Sequence, residues 1–125
     1  MTEELEKIAT DVVDAAVRLH MKLGPGLLES VYERVLARKL ERMGYWVQRQ
    51  KPVPIRYEDM VFDEGFRADL IVNGRFFVEL KSVEKLAAVH FKQTLTYLRL
   101  MDFRLGLLIN FGEALVKNGI KRIAN

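Results

Sequence analysis

The chain contains no cysteine. Disulfides, thiolate zinc sites, iron–sulfur clusters and cysteine nucleophiles are excluded at once. No apolar run approaches the roughly 18 residues that a membrane-spanning helix needs. The cationic start of a signal peptide is missing too, because the first twenty residues carry Glu3, Glu4, Glu6, Asp11 and Asp14. The expectation is a cytoplasmic protein without a membrane partner. A strong charge of one sign is also lacking, since the net charge is only +3. It is unevenly spread: residues 1–23 hold five acids and three bases, and residues 24–125 hold twelve acids and seventeen bases. That balance is compatible with a polyanionic partner without requiring one.

What is present can bury a core. Half of the 125 residues are apolar and 30% are charged, which does not read as disorder. The length suits one domain spanning residues 1–125. Leu5, Ile8, Val12, Ala15 or Ala16, Leu19 and Leu23 recur at steps of three and four, so residues 1–23 form a leading amphipathic helix packed on the core. Gly24-Pro25-Gly26 stops it. Leu28, Val31, Tyr32, Val35, Leu36, Leu40 and Met43 form the stripe of a second helix closed by Gly44.

The period then changes. Tyr45 to Tyr57 is rich in β-formers but carries Pro52 and Pro54, giving one irregular strand or two short ones near a sheet edge. Glu58 to Gly65 reads as a polar connection. Phe66 to Val72 and Phe76 to Lys81 are strands flanking Asn73-Gly74, a hairpin signal. A third helix runs from about Leu86 to Met101, Arg104 to Phe111 is a strand buried on both faces, and a last short strand lies in the tail. The order α-α-β-β-β-α-β, with a last β, predicts an α/β domain with a mixed central sheet flanked by helices.

The chemistry concentrates between Arg67 and Lys81. Asp69 and Glu79 each sit inside apolar strand sequence, where an ionised carboxylate is costly unless something compensates it. A divalent cation is one such compensation, and Mg²⁺ or Mn²⁺ prefers hard oxygen ligands. Lys81, two residues beyond Glu79, faces the same way on a strand. Its ammonium can hold or help deprotonate an attacking water. Two acids and a lysine around a metal suit phosphodiester hydrolysis.

That arrangement sets a condition on the hairpin. A two-residue Asn73-Gly74 turn pairs Val72 with Arg75 and puts Asp69 and Glu79 on opposite faces. A three-residue Val72-Asn73-Gly74 loop, with Gly74 left-handed in a bulge, pairs Ile71 with Arg75 and puts Asp69, Glu79 and Lys81 on one face. The sequence is compatible with both turns. On the second helix Glu29 falls inside the apolar arc. On the third, His90, Gln93, Tyr97 and Leu100 form one stripe, from which Gln93 can hydrogen-bond a carboxylate, a water or a phosphate oxygen.

With these residues in place the chain resembles the GxxExxY proteins, a branch of the PD-(D/E)XK nuclease superfamily. The motif stands as Gly26-Leu27-Leu28-Glu29-Ser30-Val31-Tyr32, followed by Asp69, Glu79-Leu80-Lys81 and Gln93-Thr94-Leu95-Thr96-Tyr97-Leu98. Gly106 to Gly112 and Gly119 to Arg122 are similar to the family as well. The resemblance implies a restriction-endonuclease-like core with a four-stranded mixed sheet. It implies Asp69, Glu79, the Leu80 carbonyl and Glu29 as ligands of Mg²⁺ or Mn²⁺, with Lys81 positioning the water. Gln93, Tyr97 and Tyr32 would support the site. The implied activity is hydrolysis of DNA or RNA. A module that binds nucleic acid or a protein without cutting, and a metal-dependent phosphoesterase for small phosphates, are the alternatives. The short chain also suggests a homodimer or a larger partner that delivers substrate.

Plainer readings stand beside these. Asp69 and Glu79 can be structural residues paired with Lys81 or Arg67. Glu29 can serve the dipole of its helix. Gln93 and Tyr97 can be satisfied core groups, and His20 and His90 are assigned to no metal. Gly24-Pro25-Gly26 is followed by neither the lysine nor the hydroxyl of a phosphate loop. Arg34, Arg38 and Arg42 form either a solvated face or a ridge that contacts phosphates.

Overall fold

The N-terminal periodicity folds as α1, Glu3–Leu23, capped by the Thr2 hydroxyl, which accepts from the Leu5 N–H at 3.2 Å. Its stripe from Leu5 to Leu19 is buried, while Leu23 is left exposed. Here a computed structural model describes residues 1–125. The second helix, α2 (Glu29–Arg42), departs from the expected stripe: Leu28, Val31 and Met43 are exposed, and Tyr32, Glu33, Leu36, Ala37 and Leu40 are buried. The true apolar arc is therefore rotated toward Glu33, because Leu28 precedes the helix and Val31 lies at its open edge.

Five strands follow in the order of the chain: β1 Val47–Tyr57, β2 Met60–Val72, β3 Phe76–Lys81, β4 Leu105–Asn110 and β5 Ile120–Ala124, with α3 (Ala88–Met101) between β3 and β4. They form one sheet of order β1-β2-β3-β4-β5. The β3–β4 pair is parallel and the other three are antiparallel, so the fold is mixed α/β with helices on both faces. The element order α-α-β-β-β-α-β-β is as expected, and the mixed five-stranded sheet is one strand larger than the four-stranded core the resemblance implies. Segment 60–65, expected as a connection, belongs to β2. Its residues are all exposed, and main-chain pairing with β1 holds them (Ile55 with Phe62, Tyr57 with Met60), so no apolar alternation marks the strand. Pro52 and Pro54 lie in the edge strand β1, where a missing N–H costs little.

All six residues of β4 are buried, as its continuous apolar sequence predicts. Side chains such as Leu70, Val72, Val78 and Leu80 pack with α1 and α2; Ile71 and Phe77 pack with Leu98 of α3. Alternation along β2 fails at one place. Ala68 and Phe66 join Ile71 in the α3 layer, so the residue out of step is Asp69 or its neighbour. On β1 the matching irregularity is Gln50, whose φ of 49° lies in the left-handed region that L residues seldom adopt.

Candidate active site

The hairpin between β2 and β3 decides where the acids fall. Asn73 and Gly74 both have positive φ (52° and 68°), and the Arg75 N–H donates to the Val72 carbonyl at 3.2 Å. Yet Val72 pairs with Phe76, leaving Arg75 as the extra, bulged residue. The turn thus joins features of both expected loops: two left-handed residues at Asn73-Gly74, plus a bulge at Arg75, one position after the Gly74 where it was expected. Ladder pairs Ile71 with Phe77 and Leu70 with Val78 follow. Continuing that register sets Asp69 beside Glu79, while the break in alternation at Asp69 turns its carboxylate toward the α2 side, where it lines a cleft with Glu29 and Glu33.

There the ladder stops. Leu70 with Val78 is its last pair, and beyond it β2 pairs with β1 alone. The Leu80 N–H, which the next rung would engage, donates to the Asp69 Oδ2 at 2.9 Å. A side-chain carboxylate has replaced a main-chain acceptor, and the strands part around it.

Glu79 lies in this opening with 4% of its surface exposed. Burial, then a hydrogen bond and charge from Asp69, push its carboxyl up to about 9; Glu29 adds to the shift and Lys81 opposes it. The surroundings therefore favour the protonated form of the Glu79 carboxyl. Lys81 stands at the rim, its Nζ 3.9 Å from a Glu79 oxygen. The separation makes a loose pair, not one that neutralises the acid. Arg67, the other candidate counter-ion, pairs with Glu64.

One further side chain holds Asp69. The Gln50 Nε2 donates to the Asp69 Oδ1 at 3.0 Å and also to the Glu33 carboxylate. Arg49 reaches the other Glu33 oxygen at 3.3 Å. Consecutive strand residues normally point to opposite faces; the left-handed Gln50 lets Arg49 and Gln50 meet the same carboxylate. Glu33, only 5% exposed, was passed over in the sequence because it sits in a charged run, Glu29 to Arg42. Its place four residues beyond Glu29 was the available signal. Glu29, Ser30, Glu33, Gln50, Asp69 and Leu80 line a cleft of about 280 Å³.

Tyr32 is fully buried and does not face the cleft. It stacks on Phe111 (4.4 Å, 6°), donates to the Gly24 carbonyl at 2.5 Å and accepts from the Leu27 N–H at 3.1 Å. Ser82 donates to the Leu27 carbonyl at 2.6 Å. Tyr32 therefore ties down the loop that starts α2 and so places Glu29, which is exposed in the first turn. On α3, Tyr97 stacks on Phe66 at 3.9 Å, and burial and the charges of Glu79 and Asp69 raise its phenol above its ordinary range. Gln93, one turn earlier, is half-buried with a side chain that bonds to no protein group. His90 caps α3 by accepting from the Ala87 N–H, and His20 meets the Phe111 carbonyl at 3.1 Å. Neither approaches the acids through a hydrogen bond.

The exit of β3 is clamped from β4. Phe111 donates its N–H to the Lys81 carbonyl at 2.8 Å, and the Asn110 Oδ1 accepts from Val83 and Gly112, both at 3.0 Å. A side chain at Gly112 would put its Cβ 1.9 Å from the Val83 carbonyl oxygen, so only glycine fits. Asn110 and Gly112 fix the backbone on which Lys81 stands.

Residues 6–123 match the family model of the PD-(D/E)XK nuclease superfamily. The chain belongs to the PD-(D/E)XK nuclease superfamily. No curated protein and no solved structure shows significant similarity to it. The superfamily is one of nucleases that generally use divalent metals, which makes nucleic acid the substrate class. No helix is long and apolar enough to cross a membrane. The donor set fits such an ion: two carboxylates share an opening in which Glu79 is starved of positive charge. No group of three or more His, Asp or Glu side chains is placed to hold a metal ion. Mg²⁺ suits this arrangement, because it is commonly held by one or two carboxylates and keeps several waters.

Proposed function

We propose that this chain is a Mg²⁺- or Mn²⁺-dependent nuclease that hydrolyses phosphodiester bonds, within the GxxExxY branch of its superfamily. The observation that carries the reading is the opposition of Asp69 and Glu79 where the β2–β3 ladder parts, with Lys81 beside Glu79. A buried acid beside a half-buried one lowers stability, and a strand opened for them loses a rung; neither has a structural benefit that an apolar pair would not exceed.

Asp69, Glu79 and the Leu80 carbonyl would hold the ion, with Glu29 joining directly or through a water. The bound cation supplies Lewis-acid stabilisation of the phosphate and lowers the pKa of a water. Lys81 orients the attacking water and offsets charge on the phosphate through its ammonium. A cation in the opening would favour the ionised Glu79 carboxylate, whose proton would pass to solvent. Gln50 holds Asp69 by its Oδ1 while the Leu80 N–H holds Oδ2, so its free lone pairs point in a fixed direction. Tyr97 closes the α3 side against bulk water, and Gln93 offers an unused amide to a phosphate or a water.

The test is cleavage of labelled single- and double-stranded DNA and RNA with Mg²⁺ or Mn²⁺. Wild type is expected to cut at least one substrate, and Asp69→Asn and Lys81→Ala to cut none. Intact substrates throughout, with nucleic-acid binding unchanged in both variants, would move the assignment to a non-catalytic binding module.

A further inference from the structure

Apart from the acid-lined cleft, a groove of about 1470 Å³ lies between α1 and α2. Seven basic and two acidic residues line it, a local balance of +5 in a chain whose total is +3. Two of the bases are already engaged, Arg18 with Asp14 and Arg49 with Glu33. Lys22, Arg34, Arg38, Lys39 and Arg42 have no acidic group within 4.0 Å. Elsewhere arginines such as Arg67, Arg75 and Arg122 are paired with glutamates. Unpaired cations facing one another across a groove repel, and a bound polyanion removes that cost.

The spacing and the position both fit a nucleic-acid backbone. Arg34, Arg38 and Arg42 recur every fourth residue, so they form a row about 12 Å long on α2, the rise of three or four nucleotides in one strand. No aromatic side chain lines the groove, which leaves no platform for stacked bases. Arg49 belongs to this groove, and its partner Glu33 belongs to the cleft with Asp69. The two concavities therefore share the Arg49–Glu33 pair as a wall.

We propose that the α1–α2 groove is a phosphate-binding track that holds the backbone of a DNA or RNA strand and leads it to the Asp69–Glu79 opening. The delivery to that opening rests on the nuclease reading; the binding itself does not. Contacts through phosphates alone make the track indifferent to base sequence and strongly dependent on salt.

Fluorescence anisotropy of the full chain tests it, with labelled single-stranded and duplex DNA and RNA in EDTA, so that nothing is cut while salt is stepped. The variant Arg34→Gln/Arg38→Gln/Arg42→Gln changes exposed positions to another good helix former. A reference variant, Arg99→Gln/Arg104→Gln, removes two exposed, unpaired arginines outside the groove. The triple variant is expected to lose at least tenfold in affinity at low salt. Its slope of log K against log salt is expected to flatten by about two to three, at about 0.7–0.9 per phosphate contact. The reference variant is expected to stay within about twofold of wild type, and the substrate with the larger change in slope identifies the form of strand bound. Wild-type-like binding by the triple variant, an equal loss in the reference variant, or no binding by wild type would overturn the track. Salt-dependent binding that needs the three arginines, in a protein that cuts nothing with Mn²⁺, would keep the track and sink the catalytic reading.

Discussion

The two ends of the β2–β3 hairpin are built from the same strands and differ in what their register does. At the turn end, Val72 faces Phe76 and Leu70 faces Val78, all fully buried and joined by a regular ladder. At the other end, one residue pair on, the ladder is gone. Asp69 meets Glu79, and a carboxylate takes the N–H that a strand would have taken. One bulged residue, Arg75, sets the register that places the apolar pairs in the α1–α2 layer and brings Asp69 beside Glu79, while Asp69 itself opens onto the α2 cleft. The closed end supplies stability, and the open end uses some of it to keep two acids in one opening.

The largest expected effects separate the ends by kind. Lys81→Ala at the open end is expected to lower cleavage by about 10²–10⁴-fold, the usual worth of a group that handles a proton or its water, while leaving the melting temperature nearly unchanged. Phe76→Ala at the closed end is expected to do the opposite, costing about 3–5 kcal/mol of stability in chemical denaturation. Its residual folded fraction should still cut. A Lys81 variant that unfolds, or a Phe76 variant that is folded and inactive, would erase the distinction.

The next effect is in pH. The Glu79 carboxyl is raised in the folded state, from an ordinary 4.5 to about 9. Below 4.5 both states hold the proton and there is no penalty. As pH rises through that window the unfolded chain releases it first, so metal-free stability falls and levels off above about 9. Glu79→Gln is expected to abolish most of this decline and to be more stable than wild type near neutral pH, by on the order of a few kcal/mol. Added Mg²⁺ is expected to flatten the wild-type curve and leave the variant's alone. Thermal melts across pH 5–9, with and without the ion, measure both.

Much of the closed end was legible in the sequence, and less of the open end. Alternating and continuous apolar runs locate β3 and β4, and the spacing of leucines locates α1, because burial against a layer leaves a periodic trace. Asp69, Glu79 and Lys81 stand out for the same reason, as charges where the trace demands apolar residues. The turn was undetermined, since Asn73-Gly74 serves loops of either parity and only the sheet selects among them. Glu33 left only a faint trace, its spacing from Glu29, and Gln50 left none. Glu33 is buried within a helix dense in charge, and Gln50 depends on a left-handed backbone that glutamine does not advertise. The exposed β1–β2 arm was hidden likewise, because solvent on both faces removes the alternation.

Those unseen residues give a smaller prediction. Gln50→Ala removes the bridge between Glu33 and Asp69 and is expected to weaken the divalent ion by about 10-fold, within the range for groups that orient ligands. The maximal rate at saturating metal should change less than the metal concentration needed to reach it. An unchanged metal dependence would reduce Gln50 to a surface contact.

The central claim is that the parted end of the hairpin is a cation site, and a crystal grown with Mn²⁺ tests it most directly. The expected result is an anomalous peak between the carboxylates of Asp69 and Glu79, one per chain, absent from Asp69→Asn. A peak elsewhere, or none while the two carboxyls remain hydrogen-bonded to each other, would contradict it.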